Sequence, residues 1–377
     1  MYRLFFKFVL QHLDPERAHE LAKRSLRLVR AIPLGRAAMR WLVGRTDKCL
    51  ETHALGLRFP SPVGVGAGVD KEADWFEELG ALGFGFVEIG TITALPQAGN
   101  LRPRVQRFPE QRAILNKMGF PNPGAEVAAA RLARPRGSTV VGVNIGKSMP
   151  VAVESAGNDY RTAVRYLAPY ADYLVLNVSS PNTPGLRQMQ AVDRLRSLVS
   201  DVRDELAVVG RSVPLLIKIG PDLDDQDLTA IVALALEVGL DGIVAVNTTV
   251  DRTSLTESGG NGDTFDGGGV SGAPLRIKAV EVLRRIRATA GDGLVLISVG
   301  GVESSDDVWE RIRAGATLVQ AYTAFIYNGP AWPKRVNRDL ALMVRRAGLS
   351  SIQELVGAEH GNPQSDPLAP EVIGQSN

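Results

Sequence analysis

The chain has 377 residues, 45% of them hydrophobic and 22% charged, with a formal net charge of +2. That apolar fraction is too high for a disordered chain, and the near-neutral balance gives no ground for a nucleic-acid partner. A single cysteine, Cys49, excludes an internal disulfide framework. The four histidines lie too far apart in sequence for a short ligand motif, so no metal site is expected.

Charge is unevenly distributed. Residues 1–48 hold 11 Lys/Arg against 4 Asp/Glu, so this segment carries +7 and the remainder −5. Asp14-Pro15-Glu16 reads as a helix start, with Asp as N-cap and Pro at the first helical position. Pro33 separates a further helical stretch, so two or three short amphipathic helices are expected. Leu4, Phe5, Phe8 and Val9 put large apolar groups on one side of the first. Two readings stay open: a helical cap that closes the main core, or a lid that dips into an anionic membrane surface. Runs of about 18 apolar residues are absent, so nothing here spans a bilayer as a helix. The opening Leu4–Leu10 run lacks a small-residue cleavage site and does not read as a secretory signal. A cytoplasmic protein resting against a membrane is the expectation.

After residue 60 the rhythm changes. Short apolar, β-rich runs recur at Val63–Gly66, Phe84–Ile89, Val140–Ile145, Tyr173–Val178, Leu215–Ile219, Gly242–Val246, Leu294–Val299 and Leu318–Ala321. Helix-like stretches lie between them, among them Asp70–Leu82, Asp193–Val208, Asp224–Val238, Pro274–Ala288 and Ser304–Ala314. Alternation of this kind gives parallel strands, and near-continuous apolar strands are covered on both faces. Eight such units predict an α/β fold, a (β/α)8 TIM barrel with a small N-terminal helical extension. The expected division is a helical segment over 1–48, the barrel over 49–348 and a disordered tail over 349–377. Two connections are long, Thr91–Pro123 and Asp251–Gly272, and long loops on the C-terminal face are candidate lids or substrate walls. The glycine-rich stretch Glu257–Gly269 reads as mobile.

Polar residues follow almost every strand, where barrel active sites form. Gly300-Gly301 after the seventh run and Tyr322-Thr323 after the eighth suit a phosphate, because glycine lets backbone N–H groups approach an anion. Asn116, Asn144, Asn177, Asn182 and Asn247 stand at or just past strand ends. Asparagine offers donor and acceptor without charge, which suits a planar, imide-like heterocycle. Each alone is as well explained by turn chemistry; five on one face are not. Lys218 ends an apolar strand, where a lysine must reach out to water or meet an anion. Lys71 opens a helix-like stretch, where lysines are ordinarily solvated.

These residues fall in recognisable order. Ala67-Gly68-Val69-Asp70-Lys71, Glu88-Ile89-Gly90-Thr91-Ile92-Thr93, Asn116-Lys117-Met118-Gly119-Phe120, Asn177-Val178-Ser179-Ser180-Pro181-Asn182-Thr183 and Val246-Asn247-Thr248-Thr249 together resemble the dihydroorotate dehydrogenases. Val270-Ser271-Gly272, Val299-Gly300-Gly301-Val302 and Tyr322-Thr323 continue the match, which covers about residues 1–345. Leu13-Asp14-Pro15-Glu16-Arg17-Ala18-His19 resembles the helical extension of the quinone-dependent, membrane-associated class (class 2), which favours the lid reading of the N-terminus.

The resemblance implies a flavin mononucleotide (FMN) barrel that oxidises dihydroorotate to orotate in pyrimidine (UMP) biosynthesis. A membrane quinone, ubiquinone or menaquinone, is the implied second substrate. Flavin contacts would fall to Ala67, Gly68, Lys71, Thr91, Asn144, Asn177, Lys218, Val246, Gly272, Gly301, Tyr322 and Thr323. Substrate contacts would fall to Lys71, Asn116, Lys117, Met118, Gly119, Phe120, Asn177, Asn182, Asn247 and Thr248. Ser180 matches the catalytic base, and His19, Arg107 and Tyr322 match the inner end of the quinone passage. The soluble class uses a cysteine as base; here the only cysteine precedes the barrel. Val246 departs from the family by replacing a common threonine. The implied location is the cytoplasmic side of the cell membrane, as a peripheral protein. Three other functions compete. One is another flavin barrel, such as a dihydrouridine synthase, which needs a basic body where this one is acidic. The others are an aldolase using Lys218 as a Schiff-base amine and a non-catalytic membrane module.

Overall fold

The computed structural model describes residues 2–256 and 266–360. Eight parallel strands close into a barrel: β1 (Val63–Val65), β2 (Phe86–Ile92), β3 (Val140–Gly146), β4 (Tyr173–Asn177), β5 (Leu215–Ile219), β6 (Gly242–Ala245), β7 (Val295–Val299) and β8 (Leu318–Ala321). Each pairs with the next, and β8 pairs back with β1 through Val319–Val63 and Ala321–Val65. All eight expected runs form barrel strands. Helices such as Ala156–Leu167, Val192–Val209 and Trp332–Arg346 pack outside them, and the strand–helix layer forms one continuous apolar core.

The barrel interior is filled from the bottom. A short antiparallel hairpin, Thr52–Ala54 against Leu57–Phe59, closes the N-terminal end. Phe59 stacks edge-on against Phe86, with ring centroids 5.4 Å apart, and Phe86 leads on to Tyr173. These rings are accommodated by glycines on the facing strands. A Cβ on Gly64 would lie 2.5 Å from the Phe86 ring, and one on Gly142 would lie 2.0 Å from Tyr173 Cζ. The plug is therefore matched ring to glycine, and everything chemical must sit above it.

Three expectations shift in detail. The helix foreseen over Asp70–Leu82 begins only at Phe76. The buried Asp70 carboxylate accepts the N–H groups of Glu72 (3.2 Å), Asp74 (2.9 Å) and Trp75 (3.0 Å), which holds those residues in a loop instead. The two long connections contain strands: Val105–Phe108, Ala113–Asn116 and Gly269–Gly272 form an antiparallel sheet over the barrel mouth. The first part of the expected tail belongs to the fold instead. Residues 349–360 make two 3-10 turns, and Ile352 and Leu355 are buried in the core. Residues 361–377, and 257–265 of the glycine-rich loop, lie outside the described residues.

Three helices precede the barrel: α1 (Tyr2–Phe8), α2 (Pro15–Ala31) and α3 (Gly35–Val43). Asp14 caps α2 by accepting the Arg17 N–H at 2.9 Å, with Pro15 at the first helical position. Leu4, Phe5, Phe8 and Val9 do not close the core; they are exposed, and Phe6 is the buried side chain of α1. Exposure continues along the segment, to 81% at Leu34 and 65% at Trp41. Three basic residues of α2 face the barrel. Lys23 pairs with Glu72 (2.7 Å), Arg27 with Asp74, and Arg30 with Asp74 (3.5 Å) and Glu78 (3.7 Å). Among the described residues no helix is long and apolar enough to cross a membrane.

The ring-against-glycine plug is open to a direct check. Overpacking of this kind costs about 1–3 kcal/mol, and Gly142→Ala is expected to reach at least the middle of that range. Urea denaturation would show a lower midpoint with an unchanged slope.

Candidate active site

Above the plug lies a polar floor. Glu88 of β2 is fully buried, and its carboxylate accepts the side-chain amides of Asn144 on β3 (2.9 Å) and Gln320 on β8 (2.6 Å). Lys218 Nζ on β5 stands 3.5 Å from the same carboxylate. Four strands thus contribute to one buried cluster, with Lys218 as the cation that balances Glu88.

A second tier of hydrogen bonds orients the amides above. Thr91 Oγ1 donates to Asn144 Oδ1 at 2.6 Å and accepts Asn177 Nδ2 at 3.0 Å. Asn247 Nδ2 donates to Ser179 Oγ at 3.0 Å and to Asn177 Oδ1 at 3.4 Å. Each amide has its rotation set by its neighbours before any ligand arrives.

The floor opens into a cleft at the C-terminal ends of the strands, the face on which barrel active sites form. Ala67, Gly68, Lys71, Thr91, Asn177, Lys218, Val246, Gly272, Gly301, Tyr322 and Thr323 line it, as do Asn116, Met118, Gly119, Phe120, Ser180, Asn182, Asn247 and Thr248. Asn144 lies beneath the surface, buried in the floor. Lys117 points elsewhere: its Nζ donates to the Asp266 carbonyl at 3.4 Å. His19 and Arg107 are also outside the lining. His19 packs edge-on against Trp75 at 5.5 Å. The charge of Lys71, then burial, then Lys23 hold its imidazole well below the usual histidine range, so it is neutral. Arg107 donates to the carbonyls of Gln11 and Leu13 and lies over the Phe6 ring. Tyr322 joins the two regions. It lines the cleft, abuts Gly68, and packs with Phe6, Ile114 and Tyr327 in a small apolar cluster under α1.

One end of the cleft is built for an anion. Gly300 and Gly301 follow β7 with φ of +112° and +72°. A Cβ on Gly301 would lie 2.4 Å from Arg276 Cα, so only glycine passes there. The N–H groups of Gly301 and Val302 have no hydrogen-bond partner among the described residues, and both residues line the cleft. The Thr323 hydroxyl bonds Ser271 Oγ at 2.9 Å beside them. Towards the other end, Asn182 Oδ1 is buried without a hydrogen-bond partner among the described residues, an acceptor available to a ligand N–H. Burial lowers Lys71 to a pKa of about 8, against the opposing pull of Glu16, Asp70 and Glu72. Among the described residues no group of three or more His, Cys, Asp or Glu is placed to hold a metal ion.

A closed parallel barrel carrying such a cleft at its C-terminal mouth is a (β/α)8-barrel enzyme. The comparisons with known proteins narrow the class. A family model described as dihydroorotate dehydrogenase matches residues 49–344. A dihydroorotate dehydrogenase (quinone) of Thermobifida fusca is 50% identical over 364 residues, 95% of this chain and 97% of that protein. Its counterparts in Streptomyces coelicolor and Mycobacterium tuberculosis are also 50% identical, over 95% and 92% of this chain and 99% and 95% of theirs. The crystal structure of DHODH from Eimeria tenella in complex with ferulenol aligns with a TM-score of 0.84 at 36% identity, covering 94% of this chain and 98% of that one. The chain belongs to the dihydroorotate dehydrogenase family.

Sequence reasoning missed Glu88 and Gln320 as parts of the site, and Asn100 and Arg104 behind its wall. A signal for Glu88 existed. Lys218 in an apolar strand calls for a buried anion, and Glu88 is the one acidic residue within the eight apolar runs that became barrel strands.

Lys71 carries a pH signature. It is cationic below about 8 and neutral above, so an anionic ligand paired with it binds with constant affinity below that point and progressively more weakly above. Titrating a carboxylate ligand across the neutral to alkaline range would show the break, and Lys71→Gln would abolish it.

Proposed function

We propose that this cleft oxidises dihydroorotate to orotate in pyrimidine biosynthesis, with FMN as the resident flavin and a membrane quinone as the second substrate. The observation that carries the reading is convergence: Ser180, four of the five asparagines, Lys71 and Lys218 meet in one cleft. Dihydroorotate is a cyclic imide bearing a carboxylate, and it matches oriented amides beside a cation. The free N–H groups of Gly301 and Val302 suit the phosphate of a flavin mononucleotide. Lys218 and the amide tier suit its ring edge.

When bound, the flavin supplies the two-electron acceptor. The chain's own residues supply position, dryness and a place for the proton. Asn116, Asn177, Asn182 and Asn247 orient the substrate ring, and aligned rings are most of what hydride transfer requires. Lys71 holds the substrate carboxylate. Lys218 puts positive charge where negative charge develops. Ser180 is 4% exposed; its Oγ accepts the Asn182 N–H at 3.2 Å, and it takes the proton from C5 of the substrate while passing its own hydroxyl proton on to a hydrogen-bonded acceptor such as water. A serine is a weak base, so exclusion of bulk water and the neighbouring donor are what make it serve. Cys49 is no substitute. It sits in a 3-10 turn ahead of the barrel, and burial pushes its thiol up to about 11.

The apolar cluster of Phe6, Ile114, Tyr327 and Tyr322 supports a quinone approach from beneath α1. Arg107 flanks it as a cationic group over the Phe6 ring. The exposed Phe8, Leu34, Trp41 and Leu42 support peripheral contact with a membrane on its cytoplasmic side. The dihydrouridine synthase alternative draws no support from the family match.

Two experiments test this. Ser180→Ala is expected to keep bound flavin while its anaerobic reduction by dihydroorotate slows by roughly 10²-fold or more; reduction at the normal rate sinks the base assignment. Phe8→Ser combined with Trp41→Ser is expected to weaken binding to lipid vesicles in a sedimentation assay, with turnover on a water-soluble quinone preserved.

A further inference from the structure

The N-terminal segment does more than cover the barrel. We infer that Glu16 of α2 is a positioning residue for the substrate wall: acting through Arg104 and Asn100, it holds Asn182, and with it Ser180, in place. The inference rests on the reading that Asn182 and Ser180 face dihydroorotate.

The connection is a continuous chain of short contacts. Both Glu16 oxygens accept the Arg104 fork, Nε at 3.0 Å and Nη2 at 2.8 Å, and Arg102 Nη2 adds a third donor at 2.9 Å. Arg104 is only 7% exposed, and that carboxylate is the partner of its buried guanidinium. Its remaining Nη1 turns the other way, donating to the carbonyls of Ala98 (2.6 Å) and Asn100 (2.9 Å). The Asn100 side chain then bridges two cleft segments, donating to Lys117 O at 2.9 Å and Asn182 O at 3.2 Å. Asn182 in turn donates to Asn116 O at 3.2 Å and, through its backbone N–H, to Ser180 Oγ at 3.2 Å.

The path has no slack. A Cβ on Gly99 would lie 2.3 Å from Met118 O and 2.7 Å from Arg104 Nη1, and one on Gly119 would lie 2.7 Å from Asn100 Cγ. A shift at Arg104 therefore has nowhere to dissipate before it reaches Asn182. Burial pushes the Glu16 carboxyl up, yet Arg104 and Arg102 outweigh it and keep the group below the usual carboxylate range. Small displacements matter here, because about 1 Å of misplacement in a reacting constellation costs about 100-fold in rate.

The test uses the full-length, flavin-loaded protein. Orotate affinity is read from the perturbation of flavin absorbance, and anaerobic flavin reduction is followed against dihydroorotate concentration. Glu16→Gln is expected to weaken orotate binding about tenfold, with KM rising by more than kcat falls. Asn100→Ala reaches the same wall without touching α2 and is expected to do likewise. The double variant is expected to be no worse than either alone, since both break one path. Arg36→Ala, which loosens α3 from Glu77 and Glu78, is expected to leave orotate affinity unchanged. Wild-type orotate affinity in Glu16→Gln overturns the inference, and so do additive losses in the double variant or an equal loss in Arg36→Ala. If Glu16→Gln does not fold, wild-type affinity in Asn100→Ala is decisive against it. Undiminished flavin reduction in both Ser180→Ala and Asn182→Ala removes the substrate reading, and the strut with it, a pattern distinct from the others.

Discussion

A carboxylate without access to solvent sits at the centre of the barrel, and the site is arranged around it. Glu88 on β2 requires donors, and it draws them from β3, β5 and β8. That demand sets where Asn144, Lys218 and Gln320 point. Thr91 and Asn177 then take their orientation from Asn144. A lone buried charge would be strongly unfavourable, so the carboxylate and its cation are retained together or not at all. The ring-and-glycine plug beneath matters for the same reason. It fills the lower barrel with apolar volume and leaves the polar layer at one height, directly under the cleft.

The fold was readable because barrel strands covered on both faces must be short apolar runs, and eight such runs are plain in the sequence. The cleft was readable because its residues stand at strand ends, where chain order alone puts them on one face. Other features were hidden for physical reasons. The helix start at Asp70 was misplaced because an aspartate that caps a helix and one that ties a loop look alike until the carboxylate's partners are known. Glu88 passed as one residue in a motif because pairing across a barrel leaves no local signature; Lys218, more than a hundred positions away, was the clue. Asn100 and Arg104 sit in a long connection, where neither periodicity nor spacing marks a residue that braces the wall from behind.

Part of the positive charge of the N-terminal segment is engaged within the fold. The +7 of residues 1–48 suggested attraction to an anionic surface. In the fold, Lys23, Arg27, Arg30 and Arg36 face acidic side chains of the barrel, at Glu72, Asp74, Glu77 and Glu78. A formal sum treats every charge as available, whereas one helix face directs its charges inward and leaves leucine, isoleucine and tryptophan outside. The outward surface of this segment is thus more apolar, and less basic, than its formal charge implies.

The contact between the two ends of the chain has a consequence for how the protein is made. Tyr2 donates its hydroxyl to the Ile326 carbonyl at 2.8 Å, across a separation of 324 residues. At about 5–20 residues per second, translation delivers that partner on the order of tens of seconds after α1 has left the ribosome. Throughout that interval Phe6 has no Tyr327 to cover it, and the first helices are more apolar than they are in the finished fold. A nascent chain in this state carries an uncovered apolar face until its last barrel strand has arrived.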